Sequence, residues 1–191
     1  MRCFLQLLDF VAQIELQFTS FEVPLTNEEH LKLELEHIML EIRSRRGRHL
    51  RHFVDQYFCY KHGYVRSSGT PNWDGIIFNE YVSKSADEMH LAHGHVEVTR
   101  DHIVPLNRIR LELLQLENPC EHSVELLLGR QLQFATITRE EDARLNYLGL
   151  KQTMPLEYDE KDNPLFQDIF ARYRKADIDL LPHRRLETPI Q

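Results

Sequence analysis

The stretch that most constrains this chain is residues 95–108, His95-Val96-Glu97-Val98-Thr99-Arg100-Asp101-His102-Ile103-Val104-Pro105-Leu106-Asn107-Arg108. Val96 and Val98 alternate with polar residues, and Ile103 and Val104 follow as an apolar pair. That pattern predicts a strand over 96–104. Pro105 ends the ladder because it has no N–H to donate. The period then changes: Leu106, Ile109, Leu113 and Leu116 recur at helical spacing, so a helix follows the strand directly. Asp101 and His102 stand side by side near the strand end. One of such a pair can hold a metal ion while the other takes a proton from water.

Downstream, Asn118, Pro119 and Glu121 predict another helix, with a cap, a first-turn proline and an acid completing a capping box. Gly129 ends it. Leu132, Phe134 and Ile137 mark a second strand over 131–138. Thr138 and Glu141 form a capping box for a helix carrying Asp142, Arg144, Leu145 and Leu148 as far as Gly149. The order is strand (96–104), helical insertion (106–128), strand (131–138), helix (139–149). Further on come an acidic loop with Glu157, Asp159, Glu160 and Asp162, then Asn163-Pro164 as cap and first turn of a final helix bearing Phe166, Ile169, Phe170 and Tyr173.

Upstream, residues 1–25 fit helix and strand equally and read as half-buried. Thr26 and Glu29 make a capping box, and Leu31, Leu35, Ile38 and Ile42 give the helix behind it an apolar face. This helix runs into the dense basic cluster of the chain, with Arg43, Arg45, Arg46, Arg48 and Arg51. Arginine forks match phosphate oxygens, which makes the cluster a candidate nucleic-acid-binding surface. The plainer reading is a solvated helix end whose cations complement the dipole. The aromatics Phe53, Tyr57, Phe58, Tyr60 and Tyr64 suit core packing better than base stacking. Residues 66–75 form a loop by composition, in which Trp73 suits covering the core somewhat better than anchoring a partner, and 83–88 read as polar and exposed. His90, His93 and His95 are close enough to ligate a metal, but a polar loop leading into the strand explains them as well.

A chain of 191 residues with 42% hydrophobic and 28% charged residues suits one globular domain with a good-sized core. The element pattern predicts a helix-rich α+β fold: an N-terminal helical and mixed region (1–94), a ββα-like region with a C-terminal helix (95–181), and a tail (182–191). No apolar run reaches the length of a membrane span, and the first residues do not read as a signal peptide. The three cysteines, Cys3, Cys59 and Cys120, are odd in number and far apart, which points to reduced thiols in a cytoplasm. A formal charge of −7 is unsuited to non-specific nucleic-acid binding, so any such contact needs a local basic patch.

The string Asp101-His102-Ile103-Val104-Pro105 resembles the opening motif of HNH (ββα-metal, His-Me finger) nucleases: an acid, a histidine, an apolar residue, any residue, then proline. The strand–strand–helix order around the insertion is similar to the hairpin and helix with which that family grips one divalent ion. The resemblance implies that Asp101 holds the ion and His102 is the general base. A further ligand is expected from the helix after the second strand. In the run Ala135-Thr136-Ile137-Thr138-Arg139-Glu140-Glu141-Asp142, Asp142 stands where family members carry histidine, and Asn146 lies one turn on. The implied activity is hydrolysis of DNA with Mg2+ or Mn2+. The alternative is an acidic cytoplasmic inhibitor, of immunity type, for a basic protein. It would use Glu140, Glu141, Asp142 and the acids of 157–162. The nuclease reading requires Asp101, His102 and Asp142 or Asn146 to converge beside a positive surface; the inhibitor reading does not.

Overall fold

The computed structural model describes residues 25–93 and 97–182. Helix α1 (Asn27–Arg43) begins at the expected capping box: Glu29 N donates to Thr26 Oγ1 at 3.3 Å, and Thr26 N to a Glu29 carboxylate oxygen at 2.8 Å. Its Leu35, Ile38 and Ile42 are buried against helix α2 (Leu50–His62), which Gly63 closes at φ 72°. Tyr57, Phe58, Tyr60 and Tyr64 are all buried, so the aromatic run packs the core. Trp73 opens a short 3-10 turn (Trp73–Ile76) and packs at the core's margin.

Strand β1 (Tyr81–Ser83) leads straight into helix α3 (Lys84–His93). Lys84, Ser85 and Glu88 are exposed as expected, but Ser83 and Ala86 are buried, and His90 and His93 lie on a helix rather than in the expected loop. Ser83 is fully buried. Its hydroxyl accepts from Ala86 N at 3.1 Å, the geometry of a helix N-cap, and donates to Glu141 Oε2 at 2.5 Å. A composition-based exposure argument misses a serine used as a cap.

Strand β2 (Val98–His102) pairs antiparallel with β3 (Phe134–Thr138), with Val98 opposite Thr138 and His102 opposite Phe134. Between them lie α4 (Leu106–Gln115) and α5 (Glu121–Gln131), and after β3 comes α6 (Arg139–Tyr147). The strand–insertion–strand–helix order is therefore present, with shorter strands than expected. Ile103 and Val104 lie beyond the ladder and are wholly buried. The α5 cap also differs: Cys120 N donates to Ser123 Oγ at 3.0 Å, two residues past the expected Asn118 cap.

The four strands form one sheet in the order β2-β3-β1-β4, where β4 is Leu180–Pro182. β1 runs parallel to β3 and antiparallel to β4. Every residue of β3 is buried, because both faces of the sheet are covered. Phe134 joins the cluster made with α1, α2, α4 and α5; Ala135 and Ile137 join a second cluster with Leu145, Tyr173 and Ile178. The architecture is a helix-rich α+β domain.

The final helix is much shorter than its apolar spacing predicts: α7 covers only Ala171–Lys175. Asn163 and Asp168 explain this. Their side chains accept from Leu165 N and Phe170 N, both at 3.0 Å, and so close local turns instead of a helix. Gln167, at φ 53°, adopts a left-handed conformation incompatible with a helix interior. No helix among the described residues is long and apolar enough to cross a membrane.

Candidate functional site

The end of β2 opens onto a cleft of about 390 Å3. Four elements meet there. β2 contributes Arg100, Asp101 and His102; the turn before α2 and its first residues contribute Arg48 and Arg51; α6 contributes Asp142. Arg110 from α4 and Lys151, just past α6, complete the charged lining. Five cationic side chains thus line a cleft that holds two carboxylates, in a chain of net charge −7.

His102 is held from outside the β2–β3–α6 unit. Its Nε2 lies 2.7 Å from Oδ1 of Asp55, on α2. The ring packs on Phe134, centroids 4.4 Å apart, which is the residue opposite it in the sheet register. Its side chain keeps 12% exposure, on the cleft side. Nδ1 has no hydrogen-bond partner among the described residues.

Asp101 divides its two oxygens. Oδ2 accepts from Tyr173 OH at 2.6 Å and from Nη2 of Arg172. Arg172 is completely buried, and its other donors serve the carbonyls of Ile103 at 2.9 Å and Leu150 at 3.1 Å. This network fastens α7 to the end of β2. Burial, with the Asp101 carboxylate beside it, pushes the Tyr173 hydroxyl well above the ordinary phenol range, so it stays a donor. Oδ1 of Asp101 has no partner among the described residues.

Asp142 receives Nζ of Lys151 on Oδ2 at 2.6 Å and likewise leaves Oδ1 unpaired among the described residues. It reaches the cleft because Thr138 and Glu141 start α6 where they do. Glu141 N donates to Thr138 Oγ1 at 3.2 Å, and Thr138 N to Glu141 Oε2 at 2.8 Å. Asn146 is exposed further along α6 and does not line the cleft.

The basic cluster divides in the same way. Arg48 and Arg51 face the cleft; Arg43, Arg45 and Arg46 do not line it. Buried Glu41 shapes this turn, pairing with Arg46 at 3.1 Å and accepting from His49 N at 3.3 Å. Gly47 is at φ 55°, and a Cβ there would come within 2.9 Å of Leu114, so the turn needs glycine. Arg100 is fixed over Trp73, 5.1 Å from its ring, and donates to the Trp73 carbonyl at 2.9 Å. Of the histidine trio, His90 stacks on Phe78, His93 is exposed on α3, and His95 lies outside the described residues.

Asp55, Arg100, Arg110, Lys151 and Arg172 carry no local signal that marks them for this site. Asp55 reads as one polar residue in an aromatic helix. Its meeting with His102, 47 positions away, depends on how α2 packs against β3.

The donor set suits a hard cation of modest coordination demand. Mg2+ is commonly bound by one or two carboxylates, with waters and substrate oxygens completing its shell. Asp101 and Asp142 each have one oxygen to offer. Among the described residues no group of three or more His, Cys, Asp or Glu is placed to hold a metal ion. The fold and cleft thus define a helix-rich α+β protein with a cation-lined cleft around a histidine–carboxylate pair. No protein-family model matches the sequence, and neither a curated protein nor a solved structure matches it.

Proposed function

We propose that this cleft hydrolyses phosphodiester bonds, and that the protein is a divalent-metal-dependent nuclease of HNH type acting on DNA. The observation that carries the reading is the convergence of Asp101, His102 and Asp142 in one cleft with Arg48, Arg51, Arg100, Arg110 and Lys151. Cationic side chains in a recess recognise phosphate, and guanidinium forks do so with two parallel bonds. Arg48 has no protein partner among the described residues and lies open to substrate. His102 takes the proton from the attacking water, which general-base catalysis requires within hydrogen-bond reach. Asp101 and Asp142 are the residues that would hold Mg2+ or Mn2+, through their unpaired oxygens. The ion, when bound, supplies charge neutralisation at the phosphoryl oxygens.

The inhibitor reading draws on acids that are largely committed within the chain. Glu141 is buried in its cap, Asp142 pairs with Lys151, Asp159 with Arg108 at 2.7 Å, and Glu157 with Lys175 at 2.5 Å. A cytoplasmic setting is part of the proposal. It rests on Cys59 and Cys120 being free thiols, which suits a reducing compartment.

The test is cleavage of supercoiled and linear DNA with Mg2+ or Mn2+, against an EDTA control. Wild-type protein is expected to nick DNA only with metal. His102→Ala is expected to lose at least about 10²-fold of that activity while keeping its circular-dichroism spectrum. No cleavage with either metal, or undiminished cleavage by His102→Ala, would overturn the reading.

A further inference from the structure

We infer that Asp55 is the positioning residue for His102, and that it makes Nδ1 the nitrogen that works on substrate. The inference rests on the hydrolytic reading of the cleft. It adds a residue that lies in neither the β2–β3 hairpin nor α6.

The Asp55 side chain is only 12% exposed, so its charge needs partners inside the fold. It has two. Oδ1 takes Nε2 of His102 at 2.7 Å, and Oδ2 lies 3.9 Å from Nε of Arg51. An ionised carboxylate is an acceptor only. Nε2 must therefore carry a proton, and in the neutral ring the lone pair is left on Nδ1. The imidazole also packs, tilted by 44°, against the ring of Phe134, which offers no polar atom. The ring is thus held at one nitrogen and against Phe134, with the second nitrogen free of protein partners among the described residues.

A general base needs this arrangement. A carboxylate on the far nitrogen fixes tautomer and ring angle, and it steadies the imidazolium formed when the near nitrogen takes a proton. The alternative tautomer, with the proton on Nδ1, cannot accept from water at the cleft. α2 thereby serves the site twice. Its first turn presents Arg51 to the cleft, and one turn later Asp55 orients the base.

Asp55→Asn changes the chemistry with little change of shape. The amide can donate to Nε2, which forces the proton onto Nδ1 and blocks the base. The expected result is a fall in kcat on the order of 10²–10⁴, with KM within about threefold of wild type and an unchanged thermal midpoint or circular-dichroism spectrum. Should Asp55→Asn fold poorly, the tautomer is read directly. Two-bond 1H–15N correlation on the wild-type protein, labelled at histidine, is expected to show His102 protonated at Nε2. Asp55→Ala is expected to give a mixture of tautomers. Unchanged kcat in a folded Asp55→Asn, or a wild-type His102 protonated at Nδ1, overturns the inference. If wild-type protein cleaves no DNA, the hydrolytic reading falls, and the NMR result alone then decides whether Asp55 sets the ring.

Discussion

Asp101 carries different duties on its two oxygens. One is committed to Arg172 and Tyr173, and the other is left toward the cleft. A carboxylate anchored in this way keeps a fixed position at the cleft. Arg172 is the other side of the arrangement. A fully buried guanidinium that donates to four backbone carbonyls takes those bonds with it when it is removed. The two free thiols of the described chain contrast in the same local terms. Burial pushes the Cys59 thiol up to about 12, whereas hydrogen bonding to Ser123 lowers that of exposed Cys120. The thiolate is the reactive form. Iodoacetamide at neutral pH is therefore expected to label Cys120 in the native protein and Cys59 only after denaturation, as read by peptide mass spectrometry. Native-state labelling of Cys59 would contradict its burial. At this scale the sequence announced Asp101 and His102 through their adjacency and the proline behind them. It gave no sign of Asp55 or Arg172, because their roles come from contacts 47 and 71 positions long.

Among elements, the boundaries written in local chemistry were legible and those decided by competition were not. Both Thr–Glu capping boxes, at 26/29 and 138/141, start their helices where expected, since each needs only residues three apart. Residues 163–170 have helical apolar spacing and still form turns, because side-chain acceptors at Asn163 and Asp168 satisfy the backbone first. Spacing alone does not reveal that contest. Likewise, α3 has too few apolar residues to declare itself and is started by Ser83, whose burial depends on Glu141 far along the chain. The α6 cap matters most to the site, since it fixes where Asp142 enters the cleft. Thr138→Ala removes a buried cap and leaves Glu141 N without its acceptor. The expected cost is about 1–2 kcal/mol, seen as a lower urea midpoint at unchanged slope. Thr26→Ala, at an exposed cap, is expected to cost less. Equal losses would mean that the two caps are equivalent and that burial of the second adds nothing.

At the scale of the whole molecule, net charge and local charge point in opposite directions. The chain totals −7, yet the cleft gathers five cations around two carboxylates. Association with a polyanion must therefore be driven by that patch against the repulsion of the remaining surface, and screening should expose both contributions. Each cation that contacts a phosphate adds close to one unit to the slope of log affinity against log salt. Arg48 and Arg110 line the cleft, whereas Arg43 and Arg45 lie outside it although all but Arg110 belong to the same run or its near neighbourhood. Neutralising Arg48 and Arg110 to Gln is expected to weaken DNA binding and lower the slope by about two. Neutralising Arg43 and Arg45 removes the same formal charge and is expected to change the slope by much less. Fluorescence anisotropy with a labelled duplex in EDTA, which keeps the DNA intact, measures both pairs over a salt series. Equal losses from the two pairs would show that DNA senses only total charge, and the cleft would lose its claim to the backbone.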